Sequence, residues 1–307
     1  MSAKVFIDGA VGTTGLEIVE RLSARSEFEL IVLDDAQRKL ASARRDAYHA
    51  ADFAVLCLPD DAAKEAVALA ADSKVRIVDA SSAHRVADGW AYGFPEVAGR
   101  DAIASARLVS NPGCYPTGFI ALLAPLVRHG LLPSDWPYTC HAVSGYSGGG
   151  KALIARFEQD RDIAFRDYGL ALGHKHVPEM QAQCGLSHEP VFAPAVIPAH
   201  RGMVVEVPLQ LGLMRRAAPI DGLRDCLADF YAGSEVVTVH ADAPDELLLR
   251  ASMQPTDRLD LYVFGSNDGS QARLIAVLDN LGKGASGAAV QNLNLMAGLP
   301  ETAGLRL

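Results

Sequence analysis

Apolar and polar positions alternate along the first third of the chain in two different periods. Short apolar runs at Lys4–Ile7, Phe28–Leu33, Ala54–Leu58 and Val75–Val78 read as strands. Between them lie stretches of helical spacing: Gly15–Ser23, with Leu16, Val19 and Leu22 on one face, a polar one over Arg38–His49, and Asp61–Ala71. Strands alternating with helices predict a parallel, doubly wound sheet with right-handed crossovers over residues 1–112. After Pro112 the pattern changes. Thr117–His129 reads as a helix, and Val204–Leu211, Val236–His240, Leu259–Gly265 and Ala272–Leu278 read as strands with no short helices between them. That predicts an α+β second domain with a mixed or antiparallel sheet. A closing helix follows at Ala285–Ala297, with Val290, Leu293 and Met296 on one face. There is no internal repeat and no low-complexity linker.

Length and composition agree with this division. A chain of 307 residues, half of them hydrophobic and 21% charged, suggests two domains and can bury sizeable cores. The net charge of -9 argues against a nucleic-acid surface or an anionic membrane as main partner. Five cysteines (57, 114, 140, 184 and 226) are too scattered for a disulfide framework or a zinc knuckle. Met1 to Asp8 run straight into a strand without a secretory pattern, and no window approaches the ~18 apolar residues of a membrane span. The expectation is a cytoplasmic protein in a reducing compartment.

Two segments carry chemistry. Gly9, Gly12 and Gly15, with Thr13 and Thr14 between them, lie directly after the first strand and open the first helix. Such glycines let the backbone turn tightly and approach a pyrophosphate, whose charge meets free N–H groups at the helix start. Asp34 and Asp35 stand where an acid can bind the ribose 2′-hydroxyl of NAD, while Arg38 and Lys39 can receive the 2′-phosphate of NADP. The residues alone leave the two cofactors even. The second segment is Ser110-Asn111-Pro112-Gly113-Cys114-Tyr115-Pro116-Thr117-Gly118, a cysteine in a turn just before a helix. Unpaired N–H groups and the helix dipole favour a thiolate there, which suits a nucleophile. The other four cysteines read as buried and inert.

These motifs resemble N-acetyl-gamma-glutamyl-phosphate reductases in their shorter form, members of the aspartate-semialdehyde dehydrogenase-like superfamily. The resemblance rests on Gly9-Ala10-Val11-Gly12-Thr13-Thr14-Gly15 and the cysteine segment. It continues through Asp79-Ala80-Ser81-Ser82-Ala83-His84-Arg85, Tyr92-Gly93-Phe94-Pro95-Glu96 and Ser144-Gly145-Tyr146-Ser147-Gly148-Gly149-Gly150-Lys151. It ends with His174-Lys175-His176-Val177-Pro178-Glu179 and Asp279-Asn280-Leu281-Gly282-Lys283-Gly284-Ala285. One departure is His84, where the family pattern leads one to expect an aromatic residue such as Phe.

The resemblance implies NADPH-dependent reduction of an acyl phosphate to a semialdehyde in arginine biosynthesis, through a thioester on Cys114. It tips Arg38 and Lys39 toward NADP(H). It implies an NADP-binding domain over 1–113, a catalytic, substrate and oligomerisation domain over 114–280, and a segment 281–307 whose helix returns to the first domain. Asn280, Lys283 and Asn292 then belong near the nicotinamide. His174 and His176, which alone read as a metal half-site or as surface histidines on one side of a strand, become the acid/base group. His176 acts directly, His174 supports it, and His200 is a rival. No metal is expected.

The resemblance makes Arg85 the anchor of the substrate carboxylate, with Arg201 a second basic candidate and Glu179 orienting a histidine or the substrate amide. Ser144 and Gly148–Gly150 either offer N–H groups to phosphate or an oxyanion, or form a plain turn. Partners are the small acyl phosphate or semialdehyde and phosphate, not nucleic acid or a membrane, with a homodimer or homotetramer expected. The competing functions are aspartate-semialdehyde dehydrogenase, a lysine-pathway analogue, and an NADP-binding regulator on the same fold.

Overall fold

The structure, a computed structural model, describes residues 2–242 and 244–307; Met1, the start of the stretch read as running straight into the first strand, lies outside the described residues. The chain forms two compact units, residues 1–113 with 285–306, and residues 114–284 with Leu307.

In the first unit the elements alternate as their patterns require. They are β1 (Ala3–Asp8), α1 (Thr13–Ser23), β2 (Phe28–Ile31), α2 (Ala41–Ala50), β3 (Phe53–Leu56), α3 (Asp60–Leu69) and β4 (Arg76–Asp79), then β5 (Ala91–Tyr92), α4 (Pro95–Ala98), α5 (Arg100–Ser105) and β6 (Leu108–Ser110). Among the described residues the six strands form one sheet in the order β2-β1-β3-β4-β6-β5, with every pairing parallel. Strands covered on both faces read as unbroken apolar runs, and Phe53–Leu56 is buried at every position.

Two local expectations change. Leu16 is 52% exposed, and α1 faces the core with Gly15, Ile18 and Leu22 instead. Arg38 and Lys39 lie in a tight turn, Gln37–Lys39, ahead of α2 rather than inside one long helix. The break follows from Asp34, whose carboxylate accepts the N–H groups of Ala36 and Gln37 and so caps the turn.

The second unit begins with α6 (Cys114–Arg128). There follow β7 (Thr139–Gly145), α7 (Gly150–Gln159), β8 (Arg166–Asp167), α8 (Val177–Cys184), β9 (Val191–Ile197), β10 (Met203–Leu209), α9 (Ile220–Phe230), β11 (Val237–Val239), β12 (Leu259–Gly265) and β13 (Ala272–Leu278). Its seven described strands run β11-β12-β13-β10-β7-β9-β8, with parallel and antiparallel pairings mixed. Helix α9 does interrupt the later strands, contrary to expectation, while α7 and α8 precede them.

Helix α6 packs on β10 and β13, and α9 on β11 and β12. Twelve of the fifteen residues of α6 are buried, so it is apolar all round and serves as the core of this unit. On β10, Met203, Val205, Val207 and Leu209 are buried while Val204, Glu206 and Pro208 are not. One face of the sheet is therefore helix-covered, and the other carries Tyr262, Phe264 and a groove of about 660 Å³ bordered by Trp136, Glu206 and Arg273.

A wide helical turn, Gly282–Ser286, leads into α10 (Gly287–Met296). Ala289, Val290, Leu293 and Met296 join the core of the first unit beside Val5, Ile7, Ile18 and Leu22. Burying residues of this size stabilises by roughly 1.5–3 kcal/mol each. No described helix is long and apolar enough to cross a membrane.

Candidate active site

Cys114 is the first residue of α6, three positions earlier than the apolar pattern placed the helix start, and it is partly accessible. The first turn of a helix has N–H groups without partners in the helix, a setting that stabilises a thiolate. At the other cysteines burial pushes the Cys57 thiol up to about 12 and also raises Cys140, Cys184 and Cys226.

Beside Cys114 is a cluster of rings drawn from four segments. Tyr115 lies edge-on to Phe192 at 5.2 Å and 6.0 Å from His176. His174 is 4.7 Å from His176, 5.1 Å from Phe192 and 5.8 Å from Tyr168. The Tyr115 hydroxyl donates to the Ala195 carbonyl at 3.0 Å. Burial raises the pKa of both Tyr115 and Tyr168, the latter to about 12, and the charge of Cys114 adds to the rise in both. A charged Cys114 sulfur would thus lie within electrostatic reach of both hydroxyls.

The two histidines are not on a strand. They sit in the turn that enters α8, with His176 as its cap, and the His174 carbonyl accepts the Val177 N–H at 2.9 Å. The turn forms because Pro178 is favourable at a helix start and Gly173 takes a φ of +66° just before it. The His176 N–H donates to Nδ1 of His174 at 3.2 Å, so a neutral His174 carries its proton on Nε2. Burial first, and Lys175 second, hold the pKa of His174 below the ordinary histidine value. His176 and Glu179, one turn apart, are both buried.

Arg201 donates Nη1 to Asp279 at 2.7 Å, and Asp279 is fully buried. Asn280 accepts the Gly202 N–H on Oδ1 and donates Nδ2 to Ser147 Oγ, both at 2.9 Å. Its amide is therefore committed inside the second unit. Lys283 is 2% exposed in the turn before α10. Ser144 ends buried near the close of β7, its hydroxyl donating to the Gly145 carbonyl at 3.0 Å. Gly148 and Gly149 form a tight turn, and Gly150 opens α7. His200 stands edge-on to Tyr146 at 5.5 Å, apart from the His174–His176 pair in its ring contacts.

The first unit holds the other group. Gly9 has φ +89°, and a Cβ on it would strike the Cys57 carbonyl oxygen; a Cβ on Gly15 would strike the Gly9 carbonyl oxygen. The loop closes only with bare Cα atoms. No side chain caps α1, and Thr13 Oγ1 is buried without a hydrogen-bond partner at the helix start. A polar atom kept dry and unpaired beside an open helix N-terminus fits the phosphates of a dinucleotide.

Arg38 pairs with Asp35 at 2.8 Å and Lys39 is exposed. Arg85 is buried and donates Nε to the Asn111 carbonyl at 2.9 Å and Nη2 to the Ala80 carbonyl at 3.2 Å. Asn292 donates Nδ2 to the Gly93 carbonyl and to Asn111 Oδ1, at 2.8 and 3.0 Å. These bonds hold the strand end that leads to Cys114.

Comparison with known proteins assigns the chain. Residues 4–106 match the semialdehyde dehydrogenase NAD binding domain, and residues 114–280 the semialdehyde dehydrogenase dimerisation domain. N-acetyl-gamma-glutamyl-phosphate reductase 2 of Nostoc sp. is 48% identical over 98% of this chain and 99% of its own length. The N-acetyl-gamma-glutamyl-phosphate reductase of Burkholderia ambifaria is 50% identical over 96% of each chain. The chain belongs to the N-acetyl-gamma-glutamyl-phosphate reductase family. Its fold is shared with a solved aspartate semialdehyde dehydrogenase II from Vibrio cholerae, with TM-score 0.73 and coverage of 97% and 99%, although identity is only 19%.

Within this reductase family the chain has features that motif reading passed over. Tyr168, in the ring cluster, lies in no recognisable motif. Gly284 lies against Cys114 from 170 positions away, and only its run of glycines hinted at a close approach. His84 is explained: its Nδ1 bonds to Asp79 Oδ2 at 2.6 Å and its ring stacks on Trp90 at 4.2 Å. An aromatic Phe could stack there but could not bind the buried carboxylate.

Proposed function

We propose that this protein reduces N-acetyl-gamma-glutamyl phosphate to N-acetylglutamate 5-semialdehyde and phosphate, with Cys114 as covalent nucleophile. One observation carries the reading: Cys114 opens a buried helix beside the His174–His176 pair, in a chain about half identical over its length to named reductases of this substrate.

The Cys114 thiolate attacks the acyl carbon; the S–C bond forms as the C–O bond to phosphate breaks, and phosphate leaves. Gly9, Gly12, Thr13, Thr14 and Gly15 would hold the phosphates of NADPH, Arg38 and Lys39 would receive its 2′-phosphate, and the bound cofactor would supply the hydride. His176 gives a proton to the former carbonyl oxygen and takes it back as the C–S bond breaks, restoring the thiolate and releasing the aldehyde. His174, neutral and bonded to the His176 N–H, fixes the turn that presents this ring. Arg201 holds the anionic end of the substrate, oriented from behind by Asp279. Arg85 also secures Asn111, at the strand end before Cys114. Asn280 secures Gly202 and Ser147 in the same way. Two copies would pair through the open face of the second sheet, whose half-buried Tyr262 and Phe264 and shallow groove suit burial.

The test runs the reaction in reverse, with N-acetylglutamate semialdehyde, phosphate and NADP or NAD, following reduced cofactor. Activity is expected to require phosphate, prefer NADP, and fall at least about 10⁴-fold in Cys114→Ala. Turnover with aspartate semialdehyde alone would move the substrate, and full activity of Cys114→Ala would end the covalent mechanism.

A further inference from the structure

We infer that Gly284 is a positioning residue for the nucleophile: its bare Cα packs on Cys114 and fixes the direction of the thiol. A Cβ at Gly284 would lie 2.9 Å from Cys114 Cβ, 3.3 Å from Cys114 Cα and 3.1 Å from the Asp279 carbonyl oxygen. Real Cβ atoms do not approach so closely. The backbone of Gly284 is not in the left-handed region, unlike Gly9, so its twist would admit any residue. Space alone demands glycine here.

The turn cannot yield to make that space, because its other residues are locked. The Gly284 N–H donates to the Asp279 carbonyl at 3.0 Å. Asp279 accepts the Leu281 N–H on Oδ1 at 3.0 Å, and on Oδ2 it accepts Arg201 at 2.7 Å and the Thr256 N–H at 3.3 Å. Asn280 ties the turn to Gly202 and Ser147. A buried carboxylate with three donors is costly to disturb. One turn of six residues therefore sets the Arg201 segment at its beginning and presses on Cys114 at its end. Cys114 is partly accessible, so a fixed rotamer matters to its reactivity toward dissolved reagents.

The inference rests on Cys114 being the nucleophile, and its test needs neither substrate nor cofactor. Gly284→Ala and the unaltered protein are treated with iodoacetamide, in which the thiolate displaces iodide as the C–S bond forms, and the Cys114 peptide is followed by mass. Alkylation and kcat are both expected to fall at least about tenfold, since a displacement near 1 Å can cost about 10²-fold in rate. KM and cofactor affinity should stay within about twofold, a split that general unfolding would not give. Unchanged alkylation of Gly284→Ala overturns the inference. Slowed alkylation, in a protein inactive toward the aldehyde, keeps it and removes only the substrate assignment.

If Gly284→Ala does not fold, the double variant Cys114→Gly/Gly284→Ala decides. Removing the Cys114 Cβ takes away the closest contact, so soluble protein with a Tm approaching that of Cys114→Gly is expected. Equal loss in both backgrounds would overturn the idea.

Discussion

The glycine loop of the first unit and the surroundings of Cys114 in the second are built by opposite means. The loop is made by seven consecutive residues, and what matters in it is main chain: bare Cα atoms at Gly9 and Gly15, an uncapped helix start, and one unpaired hydroxyl on Thr13. The surroundings of Cys114 are made by side chains from places far apart in sequence. Cys114 and Tyr115, Tyr168, His174 and His176, Phe192, Arg201 and Asp279–Gly284 meet only because β7, β9, β10 and β13 pair in the order they do. A backbone site tolerates side-chain change but not an added Cβ. A converged site is sensitive to each side chain in proportion to its part in the chemistry.

The converged site should show the largest loss. His176→Asn removes the proton carrier while leaving the cap of α8 polar, and kcat is expected to fall about 10²–10⁴-fold with KM nearly unchanged. The limb of the pH–rate profile that His176 supplies should vanish with it. If His200→Asn has that effect and His176→Asn does not, the ring cluster is not the acid/base site. In the loop, Gly15→Ala should weaken NADPH binding about 10²-fold, because the Gly9 carbonyl must move out of the cradle, whereas Thr14→Ala should cost only a few-fold. Equal effects of the two would mean that side chains, not main chain, hold the phosphates. A smaller change is expected from Arg38→Ala with Lys39→Ala: about tenfold weaker NADP with NAD unaffected, read by titration of each cofactor. Parallel loss of both cofactors would place these residues outside the 2′-phosphate site.

The same difference explains what could be read in advance. Strand and helix alternation, and the segments Leu259–Gly265 and Ala272–Leu278, appear in the sequence as they fold, because both signals are local periodicities. The three-glycine spacing is likewise local. The face of α1 was misread because Leu16, though apolar, points away from the sheet while glycine takes the core position. An i, i+2 histidine pair suits one side of a strand, but Pro178 starts a helix after His174 and His176 and turns the segment. Arg85 and Asn280 read as ligand residues by type, and their bonds to the Asn111 and Ala80 carbonyls, the Gly202 N–H and the Ser147 hydroxyl are ones that no spacing rule reveals. Tyr168 and Gly284 enter the site through long-range pairing alone, and nothing local marks them.

The smallest expected effect concerns His174 and sharpens the comparison from the side of stability. In the unfolded chain its ring titrates near the ordinary value of about 6.5; in the folded chain burial, then Lys175, hold it lower. As pH falls below that ordinary value, the unfolded chain takes up the proton before the folded one does. The folded state is therefore favoured fully above this range and loses ground as pH drops toward the depressed folded value, where the loss levels off. His174→Gln keeps an acceptor for the His176 N–H but has no proton to take up. Its Tm should fall less than that of the unaltered protein between pH 7 and pH 5, by about 1 °C because the ring is only half buried and partly screened. Identical slopes would show that His174 is as easily protonated folded as unfolded. The bond from the His176 N–H to its Nδ1 would then break in acid, and the ring cluster would be as loosely held as a surface loop.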